Sequence, residues 1–266
     1  YFIRKGNNFQ FDNFKVHYSG DPHKKLDILF IPEGYSEAEM DSFINDCNRF
    51  KEYLFYYSPF KEFENDINIW GVKAYSKESG ADIPKENIWK ETILNSTYYT
   101  FDSERYLMTE DYHRVRDVAA NAPYDQIYIL VNSEKYGGGA IYNYYNVGIT
   151  GNRSARPVFV HELGHGLAGL ADEYGADATY NDYYPLDVEP WEANITTLVD
   201  FESKWKNLLE EGTPVPTPKT EEYENKLGAF EGAGYVSKGV YRPTQNSIMR
   251  AFNSDEFNIV CLLYTS

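Results

Sequence analysis

Three residues of this chain have the types and spacing of a hydrolytic metal site: His161, Glu162 and His165, within His161-Glu162-Leu163-Gly164-His165. Four residues along a helix turn the chain by about 400°, so the two histidines share one face, about 6 Å apart. Both imidazoles can then reach one zinc ion. Glu162 flanks that position without competing for the metal. Its carboxylate can take a proton from a water that zinc has acidified and hand it to a leaving amine. The apolar Val158-Phe159-Val160 before the motif and the glycines after it fit a buried helix that ends at a metal.

No histidine follows His165, and His17, His23 and His113 all lie upstream. An H-E-x-x-H site takes its third protein ligand from downstream, so a carboxylate is expected here. Asp172 is the nearest. On an unbroken helix it would lie about 10 Å farther along the axis, out of reach. Gly166 and Gly169 allow the chain to turn back, because glycine readily adopts positive φ. Glu173 beside it, and Glu202 in a thermolysin-like arrangement, stay open as alternatives.

The elements that must position these groups read as alternating strands and helices. Leu26 to Pro32 is a buried strand closed by Pro32 and Gly34. Ser36 with Glu39 forms a capping box that opens a helix to about Tyr53. Ile67 to Tyr75 is a second strand, Thr109-Glu110-Asp111 opens a helix to about Ala120, and Asp125 to Val131 is the strongest strand. A helix from about Arg156 carries the histidines. The segment from Asn181 to Trp191 reads as irregular loop, Leu198 to Leu209 as helix, and Thr213 to Pro218 as a stiff extended linker. This order predicts an α/β fold of the α+β kind with a mixed, twisted sheet. It forms one catalytic domain, 1–266, with an upper lobe over about 1–170 and a smaller irregular lower lobe over about 171–266.

Composition narrows the function classes. The 266 residues are 42% hydrophobic and carry a formal charge of −16, so nucleic-acid binding is not expected. No apolar run is long enough for a membrane span. Cys47 and Cys261 are too few for a disulfide framework and are expected unpaired. The chain opens at Tyr1 with neither an initiator Met nor a signal-peptide profile, as a mature or excised fragment would, and a preceding N-terminal domain is an expected neighbour.

The run HELGHGLAGLADEY, with Asp172-Glu173-Tyr174 at its end, resembles the signature of the bacterial IgA-metallopeptidase family. Similar matches are Gly137-Gly138-Gly139, Gly228 to Gly234, Gly239-Val240-Tyr241-Arg242-Pro243 and Ser247-Ile248-Met249-Arg250. The resemblance covers most of the chain. It implies a zincin-like, metzincin-type zinc endopeptidase, secreted or in the cell envelope, with a methionine turn at Met249 packed under the ligand imidazoles. Two departures stand out. The common metzincin third ligand lies six residues after the second histidine, whereas Asp172 is seven away. The family often carries a cysteine near the methionine turn, where this chain has Asn246 and Ser247, so no disulfide to Cys261 is expected.

An extended peptide or protein substrate is expected along an edge strand within Gly137 to Gly148, where Gly138 and Gly139 admit close backbone approach. Tyr241 and Arg250 are candidates to touch substrate or polarise a carbonyl. Tyr142, Tyr144, Tyr145, Tyr183 and Tyr184 are candidates to line subsites or bind carbohydrate. The competing function is a non-catalytic, zinc-braced surface module for protein or glycan adhesion; an amidase acting on cell-wall peptides is a third. Immunoglobulin A as the substrate does not follow from the resemblance, because pocket shape decides substrate choice.

Overall fold

The apolar runs of the sequence become the middle of a six-stranded sheet. In the computed structural model, which describes residues 10–175, 184–254 and 256–265, the strands lie in the order β1-β3-β2-β4-β6-β5. They are β1 (Asn13–His17), β2 (Leu26–Glu33), β3 (Ile67–Val72), β4 (Gln126–Val131), β5 (Gly138–Ile141) and β6 (Tyr145–Ile149). The four inner strands β3, β2, β4 and β6 are parallel, and the edges β1 and β5 run antiparallel to their neighbours. Every residue of β3, β4 and β6 is buried, which explains their near-continuous apolar sequence. The expected mixed α/β sheet is thus the observed fold.

Helix α1 (Met40–Leu54) follows the predicted capping box, in which Ser36 N and Oγ both donate to Glu39 Oε2. It buries Phe43, Cys47, Phe50 and Leu54, one stripe at helical spacing. Helix α2 (Tyr112–Ala119) is capped by Asp111, which accepts from Arg114 N, and packs on β2. Helix α3 (Ala155–Ala168) lies over β5 and β6 and touches α1. Phe159 joins these layers, with ring centroids 5.1 Å from Phe50, 4.6 Å from Tyr128 and 6.0 Å from Phe30. At the end of β2 the buried Glu33 accepts from Thr92 Oγ1, Leu94 N and Ser96 N, which pins the 92–96 loop. Burial raises the pKa of Glu33 above its ordinary 4.5, although these donors pull the other way.

Beyond residue 170 the chain builds a hairpin, β7 (Phe230–Ala233) and β8 (Val236–Arg242), and a last helix α4 (Ile259–Thr265) capped by Asn258 Oδ1. Two small apolar clusters hold this part: Ala171, Ile195, Ala233, Val236 and Val240 in one, Phe201, Trp205, Ala229 and Val260 in the other. Ile248, Met249, Phe257 and Cys261 join the main core instead. Cys47 and Cys261 are both buried.

The helix expected over Leu198 to Leu209 does not form. Two 3-10 turns, Phe201–Ser203 and Lys206–Leu208, stand there, broken at Lys204. Tertiary bonds win over helical pattern: Lys204 Nζ donates to the Pro190 and Glu192 carbonyls, and Trp205 Nε1 donates to Gly228 O at 2.7 Å. The stiff extended linker expected over Thr213 to Pro218 instead bends at Val215 and Pro216, where Thr217 Oγ1 donates back to Pro214 O, and Thr217 docks it by exchanging two hydrogen bonds with Ala229. The expectation for 181–191 can be followed only from Tyr184 onward, since 181–183 lie outside the described residues.

Candidate metal centre

Helix α3 presents His161 and His165 on one face, with ring centroids 4.6 Å apart and Nε2 atoms 3.0 Å apart. Each ring is oriented by its other nitrogen. His161 Nδ1 lies 3.0 Å from Ile248 O, and His165 Nδ1 lies 2.5 Å from Leu170 O. A carbonyl can only accept, so both Nδ1 atoms carry a proton, and Nε2 is the atom of each ring that faces inward.

Gly169 ends the helix. It sits in the left-handed region at φ +61, its N–H donates to His165 O at 3.0 Å, and Leu170 N donates to Gly164 O. Gly166, by contrast, stays helical. A Cβ there would lie 1.9 Å from Asn146 Oδ1, so this glycine makes room for β6 rather than breaking the helix. The turn at Gly169 returns Asp172 to the histidines, with Oδ1 3.0 Å from His161 Nε2 and 3.3 Å from His165 Nε2.

Asp172 Oδ1 is buried without a hydrogen-bond donor. Three acceptor atoms therefore converge within 4.8 Å of one another, in the one group among the described residues that could hold a metal ion. Acceptors crowded in this way repel unless a cation lies among them, so the donor set fits a divalent metal. A proton is drawn to the same place, a second sign that the cluster favours positive charge. Burial alone would lower the His165 pKa, yet Asp172, Glu162 and the Leu170 carbonyl bring it up to about 9. Burial would raise Asp172, yet the two histidines hold it well below its usual range.

Asp172 Oδ2 accepts from Tyr235 Oη. Tyr235 and Gly234 form the tip of the β7–β8 hairpin, with φ +67 and +60. Their N–H groups donate to Tyr174 O and Asp172 O at 3.0 and 2.9 Å, so the tip is tied to the 172–174 segment. Glu173 points elsewhere. It is fully buried and accepts from Ser247 Oγ, Asn194 Nδ2, Asn258 Nδ2 and Cys261 Sγ. Glu202 is on a surface turn paired with Lys206. Neither alternative carboxylate approaches the histidines.

Glu162 lines the same cleft as the cluster, a space of ≈ 550 Å³. Burial raises its pKa, partly offset by the two histidines. The edge strand β5 forms one wall. A Cβ at Gly138 would meet Val158 Cγ1 at 2.9 Å and Glu162 Oε1 at 3.1 Å, and one at Gly139 would meet Met108 Sδ at 2.2 Å. The glycines thus make room for the protein's own side chains. Gly138 N and O bond outward to Arg105 O and Leu107 N. With the two-residue period of a strand, Ala140 turns its N–H and C=O to the same outer edge.

Met249 is fully buried beneath the helix, where a Cβ at Gly164 would be 2.9 Å from its Sδ, and its carbonyl accepts from Glu173 N. Arg250 lines the cleft. Tyr241 does not: it packs against the Phe201–Trp205 cluster and exchanges backbone bonds with Thr196, because its place on β8 faces it that way. Tyr142 and Tyr184 line the cleft, Tyr145 is core, Tyr144 lies under Arg116, and Tyr183 is outside the described residues. No local pattern marks Arg105, Tyr235, Trp191 or Glu192, which long-range folding brings to the cleft.

The sequence model described as IgA Peptidase M64 matches residues 14–226 and 219–263, nearly the whole chain. The chain belongs to this family and is a metallopeptidase. No curated protein matches the sequence.

Proposed function

With that family membership as premise, we propose that the chain is a zinc endopeptidase of the metzincin kind, secreted or held in the cell envelope, that cuts extracellular proteins. His161 Nε2, His165 Nε2 and Asp172 Oδ1 would hold one zinc ion. The observation that carries this reading is their convergence, with both Nδ1 protons committed to backbone carbonyls. Two imidazoles and one carboxylate suit zinc and leave a coordination position open for chemistry. When bound, the ion supplies Lewis acidity for a carbonyl and for water.

The chain's own residues do the rest. Glu162 takes the proton that the attacking water gives up and returns it to the leaving nitrogen; its raised pKa suits both transfers. The outward N–H and C=O of Ala140 pair with an extended peptide laid along β5. Ile248 O and Leu170 O hold the imidazoles in the tautomer that faces the cluster, and Met249 packs below them. The upper lobe to about residue 170 carries the helix and edge strand, and the lower lobe supplies Asp172 and its supports. Glu162 in an open cleft has no role in a purely structural zinc brace, which favours the peptidase over the adhesion module.

The test is digestion of an unbiased peptide library, with and without a chelator, by wild type and Glu162→Gln. Wild type should cleave only with metal; the variant should retain metal and lose cleavage. Cleavage by the variant would remove Glu162 from its role, and no cleavage by zinc-loaded wild type would defeat the peptidase reading.

A further inference from the structure

One end of the cleft is built from residues that neither hold the metal-capable cluster nor form the edge strand: Tyr142, Tyr184, Trp191 and Glu192. Trp191 and Tyr142 are 66% and 53% exposed, large for aromatic rings, and face each other at 5.2 Å with a 39° tilt. They sit over the C-terminal end of α3. A Cβ at Gly169 would come within 2.7 Å of the Trp191 ring and 3.1 Å of Tyr142, so only glycine lets them close there.

Glu192 adds charge to this aromatic wall. Its Oε1 accepts from Tyr184 Oη at 2.9 Å, while Oε2 is buried and has no donor among the described residues. The nearby ammonium of Lys204 does not supply one. It is spent on the main-chain carbonyls of Pro190 at 2.5 Å and Glu192 at 2.8 Å, and thereby fixes the backbone that carries Trp191 and Glu192.

We propose that this end of the cleft is a subsite for a positively charged side chain, lysine or arginine, of the peptide substrate. The inference rests on the peptidase reading and names its substrate class. Aromatic faces attract a cation through their quadrupole, and the Glu192 carboxylate that lines the same end of the cleft adds a negative charge beside them. The carbonyl end of α3 adds negative potential of the same sign. An aliphatic side chain could cover the rings but would gain nothing from the carboxylate. An acidic one would meet Glu192 and the helix end with like charge. Arg105 lies at the other end of β5, where its carbonyl accepts from Gly138 N. The four residues of β5 separate the two ends by about 10 Å.

The experiment compares matched peptides carrying Lys, Arg, norleucine or Glu at each position around the cleaved bond, with wild type, Glu192→Gln and Trp191→Leu. At one position Lys or Arg should exceed norleucine by about 10- to 100-fold in kcat/KM, and both variants should cut that ratio about tenfold. Cleavage without a basic preference, or a preference unchanged in Glu192→Gln, would overturn the subsite and leave the peptidase intact. If no peptide is cleaved, the peptidase reading fails separately, and binding of the same pairs to Glu162→Gln protein decides the subsite. Tighter binding of the Lys peptide, lost on adding Glu192→Gln, supports it; equal binding of Lys and norleucine peptides overturns it.

Discussion

Tyr235→Phe removes one atom from the support of the metal-capable cluster. The hydroxyl donates to Asp172 Oδ2 and thereby leaves Oδ1 toward the two histidines. Phenylalanine keeps the ring against Tyr174, whose centroid is 5.2 Å away, and keeps the backbone bonds of the hairpin tip. The hydrogen bond has a charged acceptor, so its loss costs about 1.5–3 kcal/mol. Asp172 then rotates more freely and must be re-ordered when a metal binds, so much of that cost falls on affinity. A metal Kd raised about 10- to 100-fold is expected, the range that such supporting contacts show. The fold itself endorses the contact, since Tyr235 is held at φ +67, where a side chain costs roughly 1–2 kcal/mol. Competition between the purified protein and a chromophoric chelator measures the Kd directly. A variant that folds normally and binds zinc within twofold of wild type would refute the positioning argument.

Further outcomes follow from the same geometry. Gly138→Ala should lower kcat at least about tenfold with metal retained, because the new methyl meets Glu162 Oε1 and Val158; unchanged turnover would show that Glu162 has slack. Saturating zinc at about 1,000 times its Kd should stabilise the apo chain by about 4 kcal/mol, and chelation should lower Tm by roughly 8–16 °C. A chelator-insensitive Tm would contradict a metal held by His161, His165 and Asp172. Glu33 has a folded pKa above 4.5, so the native state binds more protons than the unfolded one from that pH up to its folded pKa. Its contribution is fully present below pH 4.5 and is lost as pH rises through the folded value. The stability difference between wild type and Glu33→Gln should therefore fall with rising pH, by at most about 1.4 kcal/mol per unit; a flat difference in urea titrations would reject the assignment.

What the sequence disclosed follows the range of the interactions involved. The pairing of His161 with His165 needs only helix geometry, and the buried strands need only apolar runs, so both were readable. Asp172 was readable because a single glycine break reverses the chain within a few residues, although the break is Gly169 alone. The helix expected from Leu198 failed because Lys204 and Trp205 spend their donors on distant carbonyls. Tyr235 lies 63 residues from Asp172 and reaches it through a hairpin whose turn, not its pattern, places the hydroxyl. Gly138 and Gly139 were read as open backbone for a substrate, yet their space is taken by Glu162, Val158 and Met108.

The same logic explains the division of labour around the cluster. Helix α3 contributes two inward-facing imidazole nitrogens that local geometry fixes. The later chain contributes Ile248 O and Leu170 O to set the tautomers, Tyr235 to turn Asp172, and Glu173 to bind the 171–173 segment to Ser247 and Asn258. Glu173 is thus costly to bury and yet useful, because four donors converge on it from three separate stretches of chain. Replacing it would loosen Asp172 and the methionine turn together, so the adjacent Asp172-Glu173 pair divides into one carboxylate that faces the histidines and one that holds the frame around them.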